Sequence, residues 1–339
     1  KKGVKIIPER KVTDVRPLPV APGDDRGTQP GRHGYEIETV SSTRWFGRER
    51  AVITAKNVVF SAGVLGTMKL LLRCKHVTRS LPGISDQLGW NVRTNSEALV
   101  GVSESVPKEK KVYAPGVAIT SIFHPDEDTH IEPVVYSKGS DFMRLLAVPM
   151  VDGGSPFIRF VKLVLAILTS PLQMARLYFS RLWAENSVIL LVMQTIDNRM
   201  RLRVRRPFWA LFQPVMSTAR QPGVKDVPAY IPVANQVARM FAQKMGGIPA
   251  SAVNEVALNI PTTAHILGGC SIGRDAQHGV VDESHRIFGY EGLYVCDGSV
   301  IPANLGVNPS LTITAMSERA MSLVPVARRD AGEDTDGGA

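Results

Sequence analysis

Apolar and polar residues alternate along much of the first 60 residues and again after residue 97, which predicts short β-strands. The pattern arises because successive side chains of a strand point to opposite faces of its sheet. The predicted strands are residues 4–8, 11–17, 35–40, 50–54, 98–102, 117–123 and 129–136. We expect residues 35–40 and 50–54 to pair as a hairpin, after a loop at residues 21–34 that is rich in Gly, Pro and Asp.

A strand-to-helix corner is predicted at the small residues Ser61, Ala62 and Gly63. Residues 57–60 are typical of a buried strand, and the apolar run from Val64 begins a helix. The phosphates or adenosine of a nucleotide can approach the backbone closely at such a corner. A tight corner without any ligand has the same pattern, so both interpretations of Ala62 and Gly63 stay open.

Residues 156–184 predict an unusually apolar and basic helix, since large apolar side chains recur there at helical spacing. Its charged residues are Arg159, Lys162, Arg176 and Arg181, and no acidic residue lies in the segment. Pro171 is expected to kink or divide the helix. Such a helix can lie in a membrane interface or cover an apolar pocket, and the two interpretations are compatible.

Two further segments have regularly spaced apolar residues. Arginines alternate with apolar residues over 199–205, which predicts a strand with an apolar inner face and a basic outer face. No aromatic interleaving or binding motif accompanies these arginines, so nucleic acid is not an expected partner. Residues 231–245 predict an amphipathic helix that ends at Gly246.

Composition narrows the class of protein. The 339 residues are 44% hydrophobic, which suffices for a large core of mixed α/β type with a sizeable antiparallel sheet. Three separated cysteines give neither a disulfide framework nor a metal-ligand spacing. The chain starts without methionine or a signal-type segment, and no apolar run is long enough to span a membrane. A cytoplasmic or peripheral membrane location is therefore expected, although the net charge of +9 also favours anionic surfaces.

Candidate chemistry is concentrated in residues 263–319. A buried-type strand at residues 293–296 delivers Asp297 and Gly298 to its carboxyl end, which is where α/β folds bind ligands. Asn308, Pro309 and Ser310 form a helix start, whose unpaired N–H groups carry a partial positive charge.

Outside this stretch, Glu132 interrupts an apolar strand. A carboxyl group among apolar neighbours is suited to proton transfer because burial raises its pKa. Glu132 could equally face solvent on the polar side of the strand, and position alone does not decide between these interpretations.

The order of motifs resembles the C-terminal part of the glucose–methanol–choline (GMC) flavin oxidoreductases. The resemblance is carried by His-Ile-Leu-Gly-Gly-Cys at 265–270, Leu-Tyr-Val-Cys-Asp-Gly-Ser at 293–299 and Gly-Val-Asn-Pro at 306–309. Taken alone, His265 would be a core histidine and Asn308 a turn or cap residue, but their joint occurrence in ordered motifs favours a site. Asparagine at 308, where many relatives have a second histidine, favours the branch that oxidises sterols such as cholesterol.

The resemblance implies roles for individual residues. His265 would contact the substrate hydroxyl, and Asn308 would lie beside the reacting centre. Glu132 falls roughly where the sterol-oxidising branch has the acid that moves a proton during double-bond isomerisation. The implied cofactor is FAD, and the implied cofactor-binding residues are Val12, Ala62, Gly63, Asp297, Gly298, Asn308, Pro309 and Ser310.

One feature of the family is missing from the sequence. No Gly-x-Gly-x-x-Gly occurs in the 339 residues, which therefore resemble the last three-fifths of a GMC enzyme, as a fragment or part of a split enzyme. The expected parts are a partial FAD-binding domain (1–80), a substrate-binding domain (81–259), a catalytic FAD-binding portion (260–326) and a disordered tail (327–339). The piece alone is expected to retain FAD poorly.

The expected reaction is FAD-dependent oxidation of a sterol hydroxyl to a ketone, with oxygen or another electron acceptor and possible peripheral membrane contact. Two alternatives stay open: a GMC dehydrogenase for another bulky lipid alcohol, and a non-catalytic, membrane-surface lipid-binding remnant.

Overall fold

A computed structural model describes residues 3–19, 29–104, 117–119, 121–180 and 182–325. The strands are β1 (Arg10–Pro17), β2 (Tyr35–Ser41), β3 (Arg50–Ala55), β4 (Val58–Phe60), β5 (Ala98–Glu104), β6 (Thr129–Val134), β7 (Ala147–Pro149), β8 (Ser187–Gln194), β9 (Met200–Arg205), β10 (Val215–Arg220), β11 (Gly247–Ala252) and β12 (Leu293–Val295). The α-helices are α1 (Gly63–His76), α2 (Pro156–Thr169), α3 (Pro171–Phe179), α4 (Pro232–Met245), α5 (Val253–Ala257) and α6 (Ser310–Ser322).

The first sheet is antiparallel, in the order β1-β2-β3. The predicted hairpin is confirmed as the β2–β3 pair, and β1 matches the strand predicted at 11–17. The strand predicted at 4–8 is wrong. Val4 and Ile6 are 80% and 82% exposed, and this segment pairs with no described strand. Alternation alone does not make a strand where no neighbour accepts its hydrogen bonds.

A parallel pair, β4 and β12, lies beside α1 and positions one half of the candidate site. The large apolar side chains of α1, among them Met68, Leu71 and Leu72, are buried in a core shared with Leu267 and Leu293. This core therefore joins residues from both ends of the chain. The mixed α/β class predicted from the sequence is confirmed.

An antiparallel sheet in the order β6-β8-β5-β11-β7 positions the other half. Its register places Ile131 of β6 opposite Val192 of β8, and both side chains are buried in the core that contains Ala234 and Ala238 of α4. Residues directly opposite in an antiparallel pair share a face. Glu132, which pairs with Leu191, therefore lies on the face away from α4.

The strand predicted at 117–123 is replaced by isolated bridges. Ile119 pairs with Val134 and Phe123 pairs with Ile131, while residue 120 lies outside the described residues. These two bridges lie along the edge of β6 in the part of the chain that the structure describes, although the apolar pattern of this segment is that of a strand.

The apolar segment at 156–184 folds as two helices, α2 and α3, which meet at Pro171 with a bend of 90°. Within the described residues no single helix is long and apolar enough to cross a membrane, and only this bent pair satisfies length and composition together. One stripe of α2, including Leu163, packs against Val148 and Val256, whereas most of its other apolar side chains are exposed.

The charges of this segment differ from the sequence expectation. Arg159 is buried, and its Nη1 donates to the carbonyl of Ala229 at 3.1 Å and to Oδ1 of Asn259 at 3.0 Å. It therefore anchors α2 to the protein and is not a surface charge. Lys162 and Arg176 are exposed as expected, and Arg181 lies outside the described residues.

The remaining periodic segments are confirmed. β9 buries Leu202 and exposes Arg203 and Arg205, although Arg201 stacks over the ring of Trp90 at 3.9 Å. Helix α4 ends at Gly246, whose φ of 66° fits a glycine cap. The predicted disordered tail lies outside the described residues.

Candidate active site

The carboxyl ends of β4 and β12 lie side by side and bring two sequence motifs together. The backbone N–H of Cys296 donates to the carbonyl of Phe60 at 2.8 Å, and Ser61 Oγ donates to the carbonyl of Cys296 at 2.9 Å. Asp297 is buried and accepts a hydrogen bond from Thr67 Oγ1 of α1 at 2.5 Å. The corner at residues 61–63 and the Asp297–Gly298 turn therefore lie side by side at one edge of the β4–β12 pair.

The loop that carries His265 is bonded to the same edge. The N–H of Gly268 donates to the carbonyl of Gly298 at 3.0 Å, and the N–H of Cys270 donates to the carbonyl of Ser299 at 2.9 Å. Gly268 has a φ of +77°, and a Cβ there would lie 2.2 Å from the carbonyl oxygen of Asn91. Only glycine fits this approach, which explains the glycine in the motif after His265.

Two helix N-termini at the site have no side-chain cap. Helix α1 follows Ala62, helix α6 follows Pro309, and no N-terminal backbone N–H of either helix donates to a capping side chain. The exposed N–H groups at Gly63 and Ser310 therefore suit an anionic or electron-rich ligand.

An open cleft of about 800 Å³ joins two of the predicted cofactor-binding residues, Val12 and Ala62. Its other lining residues include the basic side chains Arg10, Lys11, Lys69 and Arg73. A dinucleotide carries a pyrophosphate, so basic residues and an uncapped helix start at one cleft are compatible with such a ligand. The residues present fit the adenosine diphosphate part of FAD.

Glu132 and Asn308 are in direct contact. The amide Nδ2 of Asn308 lies 3.1 Å from Oε1 and 2.9 Å from Oε2 of Glu132, and Glu132 is only 6% exposed. The interpretation of Glu132 as a solvent-facing residue is therefore wrong. Asn308 lies immediately before Pro309 and α6, so this contact links the cofactor half of the site to the antiparallel sheet.

His130, which sequence reasoning missed, lies between the predicted site residues. Burial lowers the pKa of its ring, while Glu132 raises this pKa and His124 and His265 lower it. The interactions show that Glu132 and His265 share one neighbourhood. Nε2 of His130 is buried and has no partner among the described atoms, so it is available to a polar ligand atom.

His265 forms a close pair with a second missed residue, Glu97. Nδ1 of His265 lies 2.7 Å from Oε1 of Glu97, and Glu97 is only 1% exposed. Glu97 lies just before β5, 168 positions from its partner in sequence. The sequence signal for it was a lone acidic residue at the start of an apolar strand.

An apolar cavity of about 130 Å³ lies on the sheet face that carries Glu132. Leu99, which lines this cavity, pairs with Leu191, and Leu191 pairs with Glu132, so the three side chains form one row across the sheet. Other cavity residues are Ile189, Tyr136, Met143, Leu177, Trp183 and Thr262.

The cysteines take no part in this arrangement. Burial raises the pKa of Cys74 and Cys270 to about 12 and that of Cys296 to about 11. The thiols are therefore neutral at physiological pH and act as small buried side chains.

Comparison with known proteins shows which class of protein the chain resembles. Residues 192–317 match the family model described as GMC oxidoreductase, so the chain carries the C-terminal domain of this oxidoreductase family. The family resemblance inferred from the motifs is confirmed. A C-terminal domain of this family implies FAD as the cofactor.

The similarity extends beyond that domain. The chain is 42% identical to a cholesterol oxidase from Acinetobacter baumannii over 96% of its own length and 56% of the relative. It is 43% identical to a cholesterol oxidase from Mycobacterium tuberculosis, over 86% of this chain and 50% of the relative. The chain thus spans about half the length of these relatives.

Among solved structures, pyridoxine 4-oxidase from Mesorbium loti matches 93% of this chain and 57% of its own, with a TM-score of 0.49 and 15% identity.

Proposed function

We propose that this chain supplies the substrate-binding and catalytic part of a flavin-dependent oxidoreductase that oxidises a sterol-type secondary alcohol to a ketone. The observation that carries the proposal is the buried Glu132–Asn308 pair, on the same sheet face as the apolar cavity and close to His265. Sterols present one hydroxyl on a large apolar body, so they require an apolar cavity with few polar groups at one end.

FAD, when bound, supplies the hydride acceptor of this reaction. Val12 and Ala62 would border its adenosine part, and the α1 N-terminus at Gly63 would face its phosphates. Asp297 and Gly298 would lie along its ring system, where Asp297 is already fixed by Thr67. The α6 N-terminus, after Asn308 and Pro309 and beginning at Ser310, would stabilise negative charge that develops on the ring.

His265 would orient the substrate hydroxyl, and the hydroxyl would give up its proton to the imidazole ring of His265. Neutral His130 would offer its unpartnered Nε2 as a further polar contact. Glu132 would move a proton between carbons 4 and 6 of the steroid after oxidation. This step suits a carboxylate in a nearly water-free site, because low solvent access makes proton transfer to carbon more favourable. Asn308 holds that carboxylate in place through its amide.

The exposed apolar surface of α2 and α3 is proposed to collect the substrate from a bilayer. Sterols are nearly insoluble in water, and α3 contributes Leu177 to the cavity wall. A helix pair that touches both the cavity and the surface provides a route between them.

The function is tested with the flavin-loaded protein, cholesterol and a long-chain primary alcohol as alternative substrates. We expect cholesterol to be converted to a ketone, detected by mass spectrometry, and His265→Ala to lower kcat by about 10²–10⁴-fold. Asn308→Ala should slow flavin reduction as well. Turnover of the primary alcohol only would support a different lipid-alcohol oxidoreductase, and sterol binding without any turnover would support a lipid-binding protein.

A further inference from the structure

We propose that Glu97 is a positioning residue that fixes the tautomer of His265, with the proton on Nδ1 and the lone pair of Nε2 free for the substrate hydroxyl. The catalytic consequence of this tautomer rests on the proposed function. The tautomer itself is a property of the chain without its cofactor.

Glu97 is committed to the loop that carries His265. It accepts hydrogen bonds from the backbone N–H of Ala264 at 2.7 Å and from Thr263 Oγ1 at 3.0 Å, besides its 2.7 Å contact with His265 Nδ1. The backbone N–H of His265 in turn donates to Thr263 Oγ1 at 3.0 Å. Three successive residues are thus held by one buried carboxylate.

The chemistry of the donors and acceptors determines the tautomer. An ionised carboxylate only accepts hydrogen bonds, so the imidazole nitrogen that it contacts must carry a proton. In a neutral imidazole the other nitrogen, Nε2, then has a free lone pair. Such a ring can take a proton from an alcohol, and the carboxylate stabilises the positive charge that results.

The site therefore contains two buried carboxylates with different partners. Glu97 has three hydrogen-bonding partners, and all of them lie in residues 263–265 of the His265 loop. Glu132 is contacted by the single amide nitrogen of Asn308 and lies on the cavity face. Glu97 is consequently assigned to orientation and Glu132 to proton transfer. His130 also interacts electrostatically with His265, and burial lowers the pKa of the His130 ring.

The tautomer is measured on the cofactor-free chain by proton–nitrogen correlation NMR of isotope-labelled histidine rings. His265→Asn identifies the His265 signal among the seven histidines. We expect a neutral ring protonated at Nδ1 in the unmodified chain. A ring protonated mainly at Nε2 overturns the proposal, and this first measurement requires no change at Glu97.

The variant Glu97→Gln should convert the His265 signal to a mixture of tautomers, since an amide can either donate or accept. A matched control is Glu255→Gln, which alters another buried carboxyl group, bonded to the N–H of Leu99 at 3.1 Å, and should leave the tautomer unchanged. An unchanged His265 signal in Glu97→Gln contradicts the proposal.

In the flavin-loaded protein, Glu97→Gln should lower kcat about 10–100-fold with little change in KM, as is usual for a residue that orients a catalytic ligand. Loss of activity with an unaltered tautomer would argue against positioning. A correct tautomer in a chain that oxidises no alcohol would leave the positioning role intact and contradict the proposed function instead.

Discussion

Glu132 has a geometry that separates its role from that of the alcohol-oxidising residues. Its two oxygens contact the Asn308 amide, whereas His265 contacts Glu97. Glu132→Gln should therefore spare oxidation and block isomerisation, because a neutral amide keeps the shape but carries no proton. The product should stop at the unconjugated ketone, as measured by ultraviolet absorbance and chromatography.

Full conversion to the conjugated ketone by this variant would transfer the isomerising role to another acid. The neighbouring acids Asp126, Glu127 and Asp128 would then be the next candidates. Glu283→Gln provides a control, since Glu283 is an exposed acidic residue outside this set and its replacement should leave both steps unchanged.

The sequence predicts candidate site residues where they belong to one contiguous motif. His265, the Asp297–Gly298 pair and Asn308 each lie in a short, ordered stretch whose residue types indicate the chemistry. Glu97 and His130 carry no such signal, because their importance depends on contacts with residues far away in the chain. Glu97 gains its role only when β5 is placed beside the loop of His265.

At the scale of elements, the pattern predicted the β2–β3 hairpin, α4 and the break at Pro171, all of which depend on local residues. It failed for residues 4–8 and for Arg159, because exposure and burial are set by what packs against an element. An arginine on an apolar helix is normally a surface charge, and only the contacts with Ala229 and Asn259 show that this one is an anchor.

The short helix α5 places Glu255 between β5 and the anchor of α2, and this position makes stability depend on pH. Burial raises the pKa of Glu255 from 4.5 to about 7, opposed by the N–H of Leu99, by Thr262 and by Arg159. From about pH 4.5 to 7 the folded chain binds this proton more tightly than the unfolded chain. Stability should therefore fall as the pH rises through this window.

Glu255→Gln should remove this part of the pH dependence. A difference of roughly 2.5 pKa units corresponds to at most about 3 kcal/mol of unfolding free energy. The unmodified chain should lose up to this amount between pH 4 and pH 8. The variant should not lose it, so its stability relative to the unmodified chain should rise over the same interval. Urea unfolding at both values measures it, with the exposed Glu283→Gln as control. An equal effect of Glu255→Gln at both pH values would show that Glu255 is not protonated preferentially in the folded chain.

At the scale of the whole molecule, the cofactor half of the site consists of a two-stranded parallel pair and a cleft open to solvent, among the described residues. No Gly-x-Gly-x-x-Gly motif occurs in the 339 residues to cradle a pyrophosphate. We expect this chain by itself to bind FAD weakly, as measured by absorbance of the purified protein and by quenching of flavin fluorescence. Addition of a strand–glycine-loop–helix segment from a cholesterol oxidase relative should increase the affinity.

Stoichiometric flavin in the purified chain would contradict this expectation and would show that the uncapped starts of α1 and α6 suffice. Lys69→Gln together with Arg73→Gln tests the contribution of the cleft, since both residues line it. These changes should weaken any residual FAD binding, and they should do so less at high salt.

At the same scale, helices α2 and α3 present a large apolar surface among the described residues. Leu165 and Leu168 are 53% and 70% exposed, and Phe157, Phe160 and Leu172 are exposed beside them. Insertion of such side chains into a bilayer contributes roughly 25 cal/mol per Å² buried, independently of salt. The exposed cations Lys162 and Arg176 add about 1 kcal/mol each to the binding free energy near an anionic surface.

We therefore expect reversible binding to anionic vesicles that high salt weakens only in part. Leu165→Ser together with Leu168→Ser should abolish sedimentation with vesicles. The double variant should also slow turnover of sterol in bilayers while sparing detergent-dispersed sterol, because the cavity itself is unchanged. Val4→Ser with Ile6→Ser is the matched control, since it removes two apolar side chains, 80% and 82% exposed, that precede β1. If the leucine variant still sediments with vesicles like the unmodified chain, α2 does not contact the membrane and the exposed face has another partner.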